Sequence, residues 1–326
     1  MIVFELRWNT EAMKRNMKKI TAFAVLSVIL LSGCTAKPTP QTVRFTGVFG
    51  GGGSFTATTN DAGLFVTTAR RVQTTLQRLS ALLDGGDTGF ELGADAVNRF
   101  AGQCAVQAAP EVLRYADTLI QWQQRSPEAA AELPTLAGAA AVDTGRGIIA
   151  LKAGAALPGG AVARGWALDA AANDLLPLMQ TAKTTPTPPA LTPAVTDAAG
   201  ASPAAATPAM NGALLRCGGG VRATGQAPTF RGWPVAVELG GSTRTLWLKS
   251  GGACIRTSAD DSGLRYRALI VTAADASTAA LLCEALDDLS LERGRALLRS
   301  MGTADALWVL PDGSQADYGK VRLTSD

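Results

Sequence analysis

The chain has 326 residues, 47% of them hydrophobic and 6% aromatic, and carries a formal charge of +3 with no histidine. All of that charge lies before Cys34, where five basic side chains face two acidic ones; the neutral remainder argues against a nucleic-acid partner, because such a binder displaces counterions with a basic surface. The missing histidine excludes a Ser-His-Asp or Cys-His nucleophile, a His-ligated zinc and a histidine general base, and neither Ser-x-x-Lys nor Gly-x-Ser-x-Gly occurs to replace them.

Read from Met17, the chain runs Met-Lys-Lys, an apolar stretch from Ile20 to Leu31, then Leu31-Ser32-Gly33-Cys34 and a polar tether from Thr35 to Pro40. This is the layout of a secretory signal peptide. The apolar run is about a dozen residues, whereas a membrane-spanning helix takes about 20, so a removable segment is expected. The Leu-Ser-Gly-Cys tetrad resembles the lipobox of bacterial lipoproteins. The resemblance covers positions 17–35 and implies cleavage before Cys34, a diacylglycerol on that cysteine and often a further acyl group (palmitate or a similar chain) on its new amino group. Two or three acyl chains, at about 0.8 kcal/mol per buried methylene, would make the membrane anchor close to permanent. Thr35 stands where the resemblance places the aspartate of lipoproteins retained at the inner membrane. That implies the periplasmic side of the outer membrane in a host with two membranes. Residues 1–16 do not resemble a signal n-region, so Met13 or Met17 is the expected start of a signal that ends at 33.

Residues 34–60 read as tether and short strands: Val43 to Phe49 and Ser54 to Thr58 flank the glycines Gly50 to Gly53. That glycine run lacks the Lys-Ser/Thr of a Walker loop. Phe65, Ala69, Val72, Leu76, Leu79 and Leu83 then step by four and three, a helical apolar stripe with Asn60 or Asp61 as cap and Asp84-Gly85-Gly86 as stop. Further helices are expected over 93–105, 110–125, 127–142 and 161–183, which makes 61–183 an antiparallel helical bundle. Six prolines between Thr184 and Ala209, among Thr, Ala and Ser, predict a Pro/Ala/Thr linker over 184–210. In 211–326 the period changes: strands over 213–216, 234–239, 244–249, 253–257 and 265–272, two helices over 275–289 and 291–301, then strands over 306–310 and 319–323. The expected class is therefore α+β, an N-terminal helical bundle joined to a C-terminal mixed α+β domain.

After Cys34, an even set of cysteines remains, Cys104, Cys217, Cys254 and Cys283. In an oxidising compartment they suggest two disulfides, with buried free thiols as the alternative. A bridge such as Cys254 to Cys283 closes a loop of about 30 residues and would contribute about 3 to 4 kcal/mol in the chain-entropy model. Cys217-Gly218-Gly219-Gly220-Val221-Arg222-Ala223 opens like a dinucleotide fingerprint, but Gly225, Pro228, Gly232 and Pro234 forbid the helix that must follow. Asp260-Asp261 and Asp287-Asp288 lack calcium-loop spacing and read as a turn and a helix end. Trp233, just before a predicted strand, and Trp247, Arg244 and Arg256, on predicted strands, form the candidate ligand face, with Trp308, Phe230, Tyr266, Arg265 and Arg267 in the same domain.

No catalytic, cofactor-binding or metal-ligating set is recognised, and no cofactor is expected. These observations predict a lipid-anchored, non-catalytic envelope lipoprotein that binds an envelope protein or cell-wall glycan. The alternative is a carboxylate-dependent hydrolase of cell-wall glycan, which needs two acidic groups and no histidine. A third reading, assembly through the Phe65 to Leu83 stripe, predicts self-association.

Overall fold

The structure is a computed structural model that describes residues 39–84, 92–133, 136–180, 210–257 and 265–324. Cys34 and the signal segment expected before it, the linker expected over 184–210 apart from its last residue, and the pair Asp260-Asp261 lie outside the described residues. No described helix is long and apolar enough to cross a membrane.

The first described element is a strand. β1 (Pro40–Val48) turns through Phe49 and Gly50, both at positive φ, into β2 (Gly51–Thr59). The glycines predicted as a turn mostly belong to β2, where a side chain at Gly53 would collide with the Phe45 ring and the Arg216 carbonyl. Helix α1 (Ala62–Leu83) follows, capped by Asp61, whose Oδ1 accepts from Leu64 N at 2.8 Å. All six residues of the predicted stripe are buried.

The middle of the chain departs from a helical bundle. It contains α2 (Ala94–Arg99), β3 (Val106–Gln107), α3 (Pro110–Arg125), α4 (Pro127–Ala130), β4 (Ala140–Asp143), β5 (Ile148–Leu151), α5 (Gly160–Asn173) and α6 (Leu176–Gln180). Strands β3, β5 and β4 form a small antiparallel sheet. The Ala/Gly-rich stretch read as helix carries no 3.6-residue period, and Gly147, at φ 71, closes a turn into the β-branched pair Ile148-Ile149 instead.

The C-terminal part contains β6 (Met210–Cys217), β7 (Gly220–Gly225), β8 (Trp233–Leu239), β9 (Ser242–Leu248), β10 (Gly251–Thr257), β11 (Ala268–Ala273), α7 (Ala276–Asp287), α8 (Leu291–Met301), β12 (Asp305–Val309), β13 (Gln315–Tyr318) and β14 (Leu323–Thr324). The glycine run weighed as a dinucleotide fingerprint is the β6–β7 hairpin. A Cβ at Gly219 would strike the Ile255 carbonyl, and the Gly219 carbonyl accepts from Ile255 N at 2.8 Å.

The helical-bundle expectation is corrected by the sheet itself. One eight-stranded antiparallel sheet has the order β1-β2-β6-β7-β10-β11-β12-β13, so β2 pairs directly with β6 across the whole helical middle. Its two faces bury different partners. Phe55, Leu215, Cys254, Leu269, Val271 and Trp308 face the helices in the main core. The alternating residues Leu214, Ala253, Ile255, Ile270 and Leu307 face the three-stranded sheet β14-β9-β8. A strand buried on both faces reads as a continuous apolar run rather than an alternating one.

Candidate active site

Where α1, α3, α5, β7 and the start of α7 meet, they leave a cleft of about 640 Å³, within the range of about 300–1,000 Å³ usual for small-molecule sites. Helix α3 supplies one wall. Glu111, Arg114, Thr118, Trp122 and Arg125 recur at helical spacing and line the cleft. Helix α5 supplies Trp166 and Asp169, β7 supplies Arg222, and α7 begins at the floor with Ser277 and Thr278 behind Asp275.

The floor is built around Asp169. Its carboxylate accepts from Ala276 N at 3.0 Å, Ser277 N at 2.7 Å and Ser277 Oγ at 2.5 Å. Asp275 caps the same helix by accepting from Thr278 N at 2.7 Å. The donors at a helix start normally attract an anion, but here the protein's own carboxylates occupy them. Burial raises the proton affinity of Asp169 above that of an ordinary carboxyl, against the opposing pull of the Ser277 and Ala276 donors.

Arg222 closes this corner. Its Nε lies 3.0 Å from Asp169 Oδ1 and an Nη donates to the Ala274 carbonyl at 2.9 Å. The Nε is buried and is held by the charge of Asp169 rather than by a well-directed hydrogen bond. On the opposite wall, Glu111 Oε1 pairs with Arg78 at 2.8 Å and stands 3.7 Å from Arg114, while its buried Oε2 accepts from nothing. An unmatched buried polar atom is costly, and Glu111 Oε2 is one at the edge of the cleft. Behind that wall, Trp166 Nε1 donates to Thr118 Oγ1 at 3.2 Å, and the Tyr115 ring lies 5.5 Å from the Trp166 ring. Tyr115 OH donates to the Pro158 carbonyl. Leu281 separates the cleft from an apolar pocket of about 230 Å³ that also meets Leu119, Leu136 and Val162. Among the described residues, no group of three or more carboxylate and thiol side chains converges to hold a metal ion.

The residues singled out in the sequence are dispersed. Trp233 is buried between the two sheets. Trp247 is half-buried on β9, donates to Thr324 Oγ1 at 3.1 Å and lies beneath Arg231. Arg244, three residues earlier on the same strand, points to the opposite side. Arg256 is turned inward onto α7, 3.0 Å from Glu284 and 3.4 Å from Asp287. Asp288 ends that helix. Among the described residues the structure contains no disulfide: Cys104 is exposed, and Cys217, Cys254 and Cys283 are buried. The residues that do build the cleft, Glu111, Asp169, Arg222 and Ser277, went unnoticed. Their one available signal was a lone acid, Asp169, amid the apolar run of α5.

No family model matches the sequence, and no curated protein matches it. The fold does have solved counterparts. The ApbE protein of Thermotoga maritima superposes with a TM-score of 0.60 at 15% identity, over 85% of this chain and 96% of that one. The flavinyl transferase ApbE of Pseudomonas stutzeri, in its apo form, gives 0.60 at 14%, over 90% and 96%. The flavin transferase ApbE of Vibrio cholerae gives 0.58 at 13%, over 88% and 98%. These likenesses establish the fold. They also correct two expectations drawn from the sequence, a non-catalytic binding or assembly module and a glycan hydrolase, because the counterparts from Pseudomonas stutzeri and Vibrio cholerae are named as flavin transferases. A search for linear catalytic motifs had no means of finding a site assembled from four distant segments.

Proposed function

We propose that the protein is an enzyme, a flavin transferase, with the cleft between α3, α5 and α7 as the seat of a flavin nucleotide. The observation that carries this reading is the cleft itself, lined by the guanidinium groups of Arg78, Arg114, Arg125 and Arg222 and the carboxylates of Glu111 and Asp169, in a fold shared with flavin transferases. When bound, the nucleotide supplies the flavinyl group to be transferred. The chain's own residues supply the rest. Arg222, Arg125, Arg114 and Arg78 present guanidinium groups suited to phosphate oxygens, a task the carboxylate-capped start of α7 no longer performs. Glu111 lines the cleft and brings a carboxylate to a ligand hydroxyl or amino group. A proton removed from the acceptor in this cleft goes to a carboxylate, because no histidine is present, and Asp169 has the raised proton affinity that suits the task.

The same reading places the enzyme on the envelope, held by lipid on Cys34, with an envelope protein as acceptor. The lipobox resemblance and the neutral charge after Cys34 support that placement. In a two-membrane host the anchor is the outer membrane.

The test is titration of purified protein with FAD by flavin fluorescence, with Glu111→Gln and Arg222→Gln alongside. Each substitution is expected to weaken binding about tenfold or more, equivalent to about 1.4 kcal/mol. Incubation with FAD and an envelope extract should then leave a flavin-fluorescent protein band in a denaturing gel. Absence of FAD binding at millimolar concentration, or equal binding by all three proteins, would refute the assignment of the cleft.

A further inference from the structure

Three alternate residues of β10 fix its position against α7. At Gly252 the backbones approach so closely that a Cβ would collide with Ala276 N. Arg256 reaches Glu284 at 3.0 Å and Asp287 at 3.4 Å. Between them, the Cys283 thiol is in hydrogen-bonding contact with Cys254. Residues 252, 254 and 256 share one strand face, and 276, 283, 284 and 287 share one helix face. The thiol contact is therefore the middle of a three-point register. Cys254 is 2% exposed and Cys283 0%, and neither is needed by the transfer chemistry proposed above.

We propose that Cys254 and Cys283 are joined by a disulfide in the mature protein, a covalent staple between β10 and α7 directly behind the cleft. Cys217 is excluded as the partner of Cys254. Cys217 and Cys254 both stand opposite Gly220 on β7, from its two sides, so they are about 10 Å apart across two strand spacings, beyond the roughly 7 Å that a bridge tolerates. Cys104 is exposed, on the loop after α2.

In forming the bond, the two thiols lose two protons and two electrons. The oxidant is a disulfide, either the oxidised dithiol of a thiol–disulfide oxidoreductase or a small disulfide such as oxidised glutathione. Its S–S bond is broken and it leaves as two thiols after a mixed-disulfide stage. Burial holds the Cys283 thiol well above its ordinary range, so attack by its thiolate is suppressed once the core has closed. The exchange belongs to folding, before β10 and α7 seal, and the finished bond is then sheltered from reductants. Cys283 lies six residues beyond Ser277, about 9 Å along the helix. The staple thus holds the end of the helix whose start forms the cleft floor.

The proposal rests on export to an oxidising compartment, and one experiment separates the two. Protein extracted from membranes is acid-quenched, unfolded, alkylated before and after reduction, digested and weighed. The expected result is a peptide pair linked through Cys254 and Cys283, with Cys104 and Cys217 alkylated without reduction. The same spectra report whether the chain begins at acylated Cys34, which tests the export reading by itself. The purified chain is also refolded from its reduced, denatured state in oxidised and reduced glutathione, where the same linked peptide is expected as the dominant product. Cys254 and Cys283 alkylated without reduction after refolding, or linked to other cysteines, would overturn the proposal whatever the native location. An intact bond after refolding but not in cell extracts would sustain the geometry and overturn the oxidised state of the mature protein.

Discussion

Replacing Asp169 with alanine is the sharpest single perturbation of the cleft floor. The carboxylate accepts from Ala276 N, Ser277 N and Ser277 Oγ and stands 3.0 Å from Arg222 Nε. Alanine leaves three donors without an acceptor and a guanidinium, whose side chain is only 18% exposed, without its carboxylate and with only the Ala274 carbonyl as partner. Hydrogen bonds to a charged group contribute about 1.5–3 kcal/mol each, and breaking a buried pair costs about 3–5 kcal/mol. These figures overlap rather than add. The carboxylate's own burial, which raises its proton affinity, offsets part of them. A net loss of about 2–4 kcal/mol is expected. Urea unfolding at neutral pH reads it as a lower midpoint with unchanged slope, and FAD titration should show weakened binding as Arg222 loses its anchor. A stability change under about 0.5 kcal/mol, or undiminished FAD affinity, would mean that Asp169 does not organise the floor.

Gly165 faces α7 with its α-carbon, and a Cβ there would lie 2.5 Å from the Ala276 carbonyl oxygen. Gly165→Ala should therefore destabilise by about 1–3 kcal/mol despite the roughly 1 kcal/mol that alanine gains in a helix; a thermal midpoint at or above the parent's would count against that close approach. Burial lifts the Cys217 thiol from 9.0 to about 11. The folded value lies above the unfolded one, so this contribution is fully present below about pH 9 and lost as pH rises through about 11, on the order of 2 kcal/mol in all. Cys217→Ala should flatten that part of the urea midpoint plotted against pH, and an unchanged alkaline limb would contradict it. Asp61→Ala removes the cap on α1 and should lower stability by about 1 kcal/mol, measured in the same urea series; no change would show that water replaces the Leu64 N contact.

Helix α1 was legible because its stripe, its Asp61 cap and its Asp84 stop all agree, and local agreement of that kind needs no tertiary information. Strands β8 to β12 were legible for the same reason, whereas the strand expected over 319–323 falls instead at β13 (Gln315–Tyr318) and the short β14 (Leu323–Thr324). The helix expected over 110–125 is α3; the errors lay on either side of it, over 93–105 and 127–142, where alanine and glycine carry too little hydrophobic contrast to show a period. The pairing of β2 with β6 is a long-range fact that no local pattern encodes. Arg222 illustrates how the site was missed. It lies inside a glycine run correctly refused as a dinucleotide fingerprint because no helix can follow, yet its side chain reaches the cleft from a strand. Asp169 became informative only when folding brought Ser277 to it.

The pairing of β2 with β6 also bears on how the chain can be made. During synthesis or secretion β1 and β2 emerge first, and β6 follows only about 150 residues later. Contacts of such separation come late and slow folding. Until then the free edge of β2 is a template for any passing strand. Truncation before Met210 should therefore yield aggregates rather than a smaller folded protein.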